Sequence, residues 1–106
     1  LIVSKRRVKA DVDLFYSELL KTAKEHGRPS DVFAVRMLRL RPKKLAQLHE
    51  QCCNQVVDLY NVDPSAYSDA VRFQGDSYSI NWEGLTNFLK EILPIILPVI
   101  LKLLGM

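Results

Sequence analysis

His49, Cys52 and Cys53 are the residues of this chain whose types and spacing come nearest to a chemical site. A histidine and a cysteine four positions apart share one face of a helix, as two metal ligands or a base and its nucleophile would. Cys52 points about 100° away from Cys53 on such a helix, and the only other histidine, His26, belongs to a different segment. A zinc ion takes four ligands, or three with an open position. The set falls short, so neither a metal nor any other cofactor is expected. A Cys–His nucleophile also needs an orienting third group and oxyanion donors, which a packed helix face does not offer. Cys52 is therefore expected to fill core space and His49 to lie at the surface.

Other routes to catalysis fare no better. Asp11 and Asp13, two apart, point to different sides of a helix, so they form no carboxylate pair. The four glycines form no phosphate-cradling pattern. The sequence reads as that of a non-enzyme, with no small-molecule substrate evident. Adjacent cysteines seldom bridge, because their Cα atoms sit only ~3.8 Å apart. With no disulfide framework, a reducing compartment or a particle-associated setting is favoured, at a membrane surface among the options.

Charge is the next signal. The net charge is +3 over 106 residues, but it is split. Residues 1–44 carry twelve Lys/Arg against five Asp/Glu, and residues 45–106 carry three against seven. Two basic clusters stand out: Lys5, Arg6, Arg7 and Lys9 in an N-terminal arm (1–9), and Arg36, Arg39, Arg41, Lys43 and Lys44 around Pro42. Both suit an anionic partner, nucleic acid or anionic lipid, through phosphate contact and counterion release. No aromatics interleave with the arm, so base stacking has no support there.

The most apolar stretch is residues 82–106, with no polar side chain from Ile92 to Leu101. Asn81 is placed to cap a helix with Glu83 in its first turn. Trp82, Leu85, Phe88, Leu89, Ile92, Leu93, Ile96 and Ile100 form its apolar side, and they are the candidate membrane-binding or partner-binding residues. Pro94 and Pro98 each remove a backbone donor, which predicts a bend near residue 94 and a second short helical piece. The pure apolar run is 10 residues, short of the ~20 that a span requires. The tail reads either as the central helix of a small bundle or dimer, against which the stripes of residues 10–26 and 43–60 pack, or as an interfacial helix with Trp82 at one end and Lys102 at the other.

The elements that must position these residues follow from periodicity. Val12, Phe15, Tyr16, Leu19 and Ala23 share one face of a helix over 10–26, closed by Gly27 and Pro29. Ser30 is placed to cap the next helix, in which Phe33, Met37 and Leu40 align. Pro42 starts a third, with a stripe of Leu45, Leu48, Cys52, Val56 and Leu59. Asn61 suits a left-handed end; Asp63-Pro64 predicts a short helix to about Phe73, Gln74–Asp76 a turn, and Ser77–Ile80 a brief extended link. The expected fold is all-α: a basic arm (1–9), then one helical domain (10–106) of four to five helices with a Pro-kinked apolar C-terminal helix.

These readings point to a small structural or interaction protein whose apolar C-terminal segment mediates assembly, with itself or other subunits, or attachment to a membrane surface. A component of a viral or other multi-protein particle combines a basic arm and an apolar tail in this way. The rival reading is a nucleic-acid-binding module that uses the basic clusters for phosphate contact, with the tail as a dimer core.

Overall fold

Asp11 opens the first helix: its Oδ1 accepts the Leu14 N–H at 3.2 Å, supplying one of the acceptors that a helix start lacks. In the computed structural model, which describes residues 8, 9 and 11–105, that helix is α1 (Val12–His26). It is followed by α2 (Pro29–Leu38) and α3 (Pro42–Val62). Then come strands β2 (Val71–Gln74) and β3 (Ser77–Ile80), a 3-10 turn (Trp82–Gly84) and α4 (Thr86–Leu103). A two-residue strand β1 (Val8–Lys9) precedes α1 and pairs parallel with β3, while β2 pairs antiparallel with β3. The fold is thus mostly helical but not purely so.

The prolines act as helix starts. Pro29 and Pro42 sit in the first turns of α2 and α3, where a missing N–H costs nothing. The α1–α2 corner is tight: the Gly27 N–H donates to the Ala23 carbonyl at 2.8 Å. A Cβ on Gly27 would stand 2.8 Å from that same oxygen. Close approach is what selects glycine there, since its φ of −100° is open to any residue. Arg28, and not Ser30, precedes α2. Its backbone N–H donates to Asp31 Oδ2 at 2.8 Å and its guanidinium lies 3.5 Å from Asp31 Oδ1.

The α1 and α3 stripes pack as expected, with Phe15, Leu19 and Ala23 meeting Leu48, Cys52 and Val56 in one core. The α2 register differs from expectation. Ala34, Val35 and Leu38 are buried, whereas Phe33 is 56 % exposed and Leu40, beyond the end of the helix, 69 % exposed. Ala34 is too small to announce a buried face, and Phe33 drew the stripe one step sideways.

After α3 the chain departs from an all-helical plan. Helix α3 runs on to Val62 with no left-handed residue at Asn61. Asp63 does terminate it, its Oδ1 accepting from Ser65 Oγ (3.0 Å) and the Ala66 N–H (3.4 Å), but turns follow instead of a helix. Val71 begins a hairpin closed at Gly75, whose φ of +62° only glycine adopts freely. Asn81 fastens the two ends of that hairpin: its N–H donates to Ala70 O (2.8 Å) and its Nδ2 to Asp69 O (2.9 Å). Its side chain is therefore spent on the hairpin and not on capping a helix.

The C-terminal helix is the second correction. It starts at Thr86 and runs through Pro94 and Pro98 without interruption. Both prolines lie on the solvent side, so the carbonyls of Lys90 and Pro94, which lose their usual donors, are in reach of water. The opposite side, Leu89, Ile92, Leu93, Ile96 and Ile100, is buried against α1 and α2. Each such side chain stabilises the fold by roughly 1.5–3 kcal/mol, enough to hold a helix together across two missing hydrogen bonds.

Candidate functional site

The most chemically loaded cluster is internal. Cys53 Sγ lies 3.3 Å from His49 Nε2, on one face of α3 as their spacing predicts. His49 is only 4 % exposed, contrary to its expected surface position. The cause is aromatic packing: Phe15 from α1 and Trp82 from the 3-10 turn close over it, with ring centroids 5.3 Å and 5.9 Å away. Phe15 and Trp82 also meet each other at 4.8 Å.

This enclosure sets the protonation states. Burial lowers the His49 pKa, opposed by Asp11 and Glu50, and pushes both thiols up to about 12. A thiol that stays protonated is neither a nucleophile nor a ready metal ligand. With both groups neutral, the Cys53 S–H can donate to Nε2, so the pair works as a satisfied polar contact inside a core. The buried indole Nε1–H of Trp82 has no acceptor among the described residues. Among the described residues no three His, Cys, Asp or Glu side chains gather as metal ligands would.

The candidate assembly or membrane residues lie together along the 3-10 turn and α4, but they turn inward. Trp82, Leu85, Leu89, Ile92, Leu93, Ile96 and Ile100 are buried within the chain, and Phe88 is half-buried. The chain's own helices thus cover much of the tail. Among the described residues no helix is long and apolar enough to cross a membrane. What α4 leaves open is its outer strip: Glu91, Pro94, Ile95, Pro98 and Lys102, with Ile95 69 % exposed. Beside the strip, a groove of about 650 Å³ runs between the start of α2 and α4, lined by Ala34, Leu93, Leu97 and Leu101 among others. Leu101 is 39 % exposed.

The basic residues divide. Lys5, Arg6 and Arg7 lie outside the described residues, and Lys9 is described only as backbone in β1. Arg36, Arg39, Arg41 and Lys43 are exposed around the α2–α3 junction, and Lys44 is half-buried. Arg39 is already engaged: it donates to Asp13 Oδ1 at 3.0 Å and stacks 5.0 Å over the Tyr16 ring. Sequence reasoning passed over Lys24 and Arg28, which with Arg36 surround the exposed Phe33. It also passed over Ile95 and Pro98, whose signal was available: they lie in helical register with the charged Glu91 and Lys102 and so belong to the face that is not buried.

Comparison with protein families, with curated proteins and with solved structures finds no match to this chain.

Proposed function

We propose that this protein is a non-catalytic interaction module that joins an assembly or a membrane surface through the outer strip of α4. The observation that supports this reading is the exposure of Ile95, with Pro94 and Pro98 beside it, on a helix whose other side is committed to the core. An apolar strip next to a groove, flanked by charges, has the layout of a contact surface with an apolar centre and a polar rim. The sealed His49–Cys53 pair gives the reading further support, since its thiol is held neutral and away from solvent.

The test uses the full chain, because truncation before α4 would remove core residues as well. Ile95→Asp and Pro98→Asp are compared with the unaltered protein by sedimentation, alone, and by flotation with anionic vesicles. One of the two associations should be present in the unaltered chain and lost in the variants. If neither depends on the strip, the reading falls.

A second reading rests on the exposed cations Arg36, Arg41 and Lys43 at the α2–α3 junction, with Lys24 and Arg28 near Phe33. In it the surface contacts nucleic-acid phosphates with little sequence readout. Titration with mixed-sequence RNA and DNA at two salt concentrations decides it: affinity must fall steeply with salt.

A further inference from the structure

We propose that the occupant of the α4 strip is a second copy of this chain, packed antiparallel about a twofold axis that crosses the helix between Ile96 and Leu97. This deepens the interaction reading above and rests on it.

The argument is one of charge and register. The exposed positions Glu91, Ile95, Pro98 and Lys102 are separated by four, three and four residues, so they form one line along the helix. The line is apolar at its centre and carries opposite charges at its ends. Neither Glu91 nor Lys102 has an ion-pair partner among the described residues. Neither has an opposite charge three or four positions away on α4.

A twofold contact is self-complementary: if residue i meets residue j, then j meets i. Turning the strip end for end about its midpoint places Glu91 of each copy opposite Lys102 of the other. Both ion pairs form at once, about 16 Å apart along the helix by its rise per residue. At the centre, Ile95 of each copy meets the Pro98 ring of the other across the axis. Proline's compact ring favours close approach of the two helices, and the contact takes Ile95 out of water. A parallel arrangement would set like charges side by side and leave both ends repelling.

Sedimentation equilibrium on the full chain tests this with Glu91→Lys, Lys102→Glu, the double reversal E91K/K102E, and Ile95→Asp. All four changes are at exposed positions, and circular dichroism verifies that each variant keeps its helix content. The unaltered chain should dimerise. Each single reversal turns two attractive contacts per dimer into two repulsive ones and should weaken association about tenfold. The double reversal should restore it to within about threefold, and Ile95→Asp should leave monomer. A chain that stays monomeric overturns the proposal, while the interaction reading then stands or falls on vesicle flotation. A dimer indifferent to the single reversals, or one that the double reversal does not rescue, overturns the antiparallel register but leaves α4 as a contact surface if Ile95→Asp still dissociates it.

Discussion

His49 Nε2 and Cys53 Sγ stand 3.3 Å apart inside the core, walled in by the rings of Phe15 and Trp82. The same helical spacing that brings them together also buries both, so proximity here makes for packing and not for reactivity. This arrangement carries a pH signature. Burial holds the folded-state pKa of His49 below its ordinary value of 6.5, against the pull of Asp11 and Glu50. The unfolded chain therefore binds the proton more readily than the folded one. Stability is complete above about pH 6.5 and falls as pH drops below it toward the folded-state pKa, by up to ~1.4 kcal/mol per pH unit. Urea midpoints measured at several pH values between 5 and 7.5 should show that decline. His49→Phe, which keeps a ring against Phe15 and Trp82, should flatten it.

The thiols give a second expectation. Cys52 and Cys53 are each 1 % exposed, and burial pushes both up to about 12. A thiol reagent that reacts with thiolate should leave the native protein unlabelled over minutes at pH 8 and modify two cysteines per chain in denaturant. Rapid labelling of either thiol in the native state would contradict this packing.

How far the sequence foretells this arrangement varies with how local the cause is. Helices α1 and α3 are legible because Phe15–Leu19–Ala23 and Leu48–Cys52–Val56 repeat at helical spacing, and Pro42 marks a helix start by its own covalent geometry. The burial of His49 is not legible in its own helix, because it is the work of Phe15 and Trp82, more than thirty positions away on either side. The hairpin is hidden in the sequence for a similar reason. Val71–Gln74 is only four residues long, and it is a strand because Ser77–Ile80 pairs with it and Asn81 ties its ends. In α4, the spacing of Leu89, Ile92, Leu93, Ile96 and Ile100 found the inner side, but local proline rules overstated the break. Those rules carry no information on which side faces water.

Trp82 is the chain's only tryptophan and is fully buried, with its Nε1–H unpaired among the described residues. Its emission should be blue-shifted in the native protein and move to the red on unfolding. Trp82→Ala opens a large cavity against Phe15 and His49 and should cost about 3–5 kcal/mol. Trp82→Phe loses contact area but also removes a buried donor that lacks an acceptor, so its cost should be smaller, within about 2 kcal/mol. Chemical denaturation of the two variants checks the order. Equal losses would mean that the orphaned N–H has a partner after all.

Pro94 and Pro98 furnish the sharpest test of the continuous helix. If α4 is helical through both, each proline withholds one backbone donor, from the Lys90 and Pro94 carbonyls respectively, at positions where a small side chain on the solvent side meets no obstacle. Alanine is then the better residue: in an ordinary helix interior it is favoured over proline by ~3 kcal/mol. Part of that gain is offset because proline also restricts the unfolded chain, by up to ~1 kcal/mol. Pro94→Ala should therefore raise stability by about 2–3 kcal/mol and increase the helical circular dichroism signal slightly. A helix broken at residue 94 answers differently: proline there would suit a non-helical corner, and its replacement would leave stability unchanged or lower it. The sign of the shift in the denaturation midpoint separates the two.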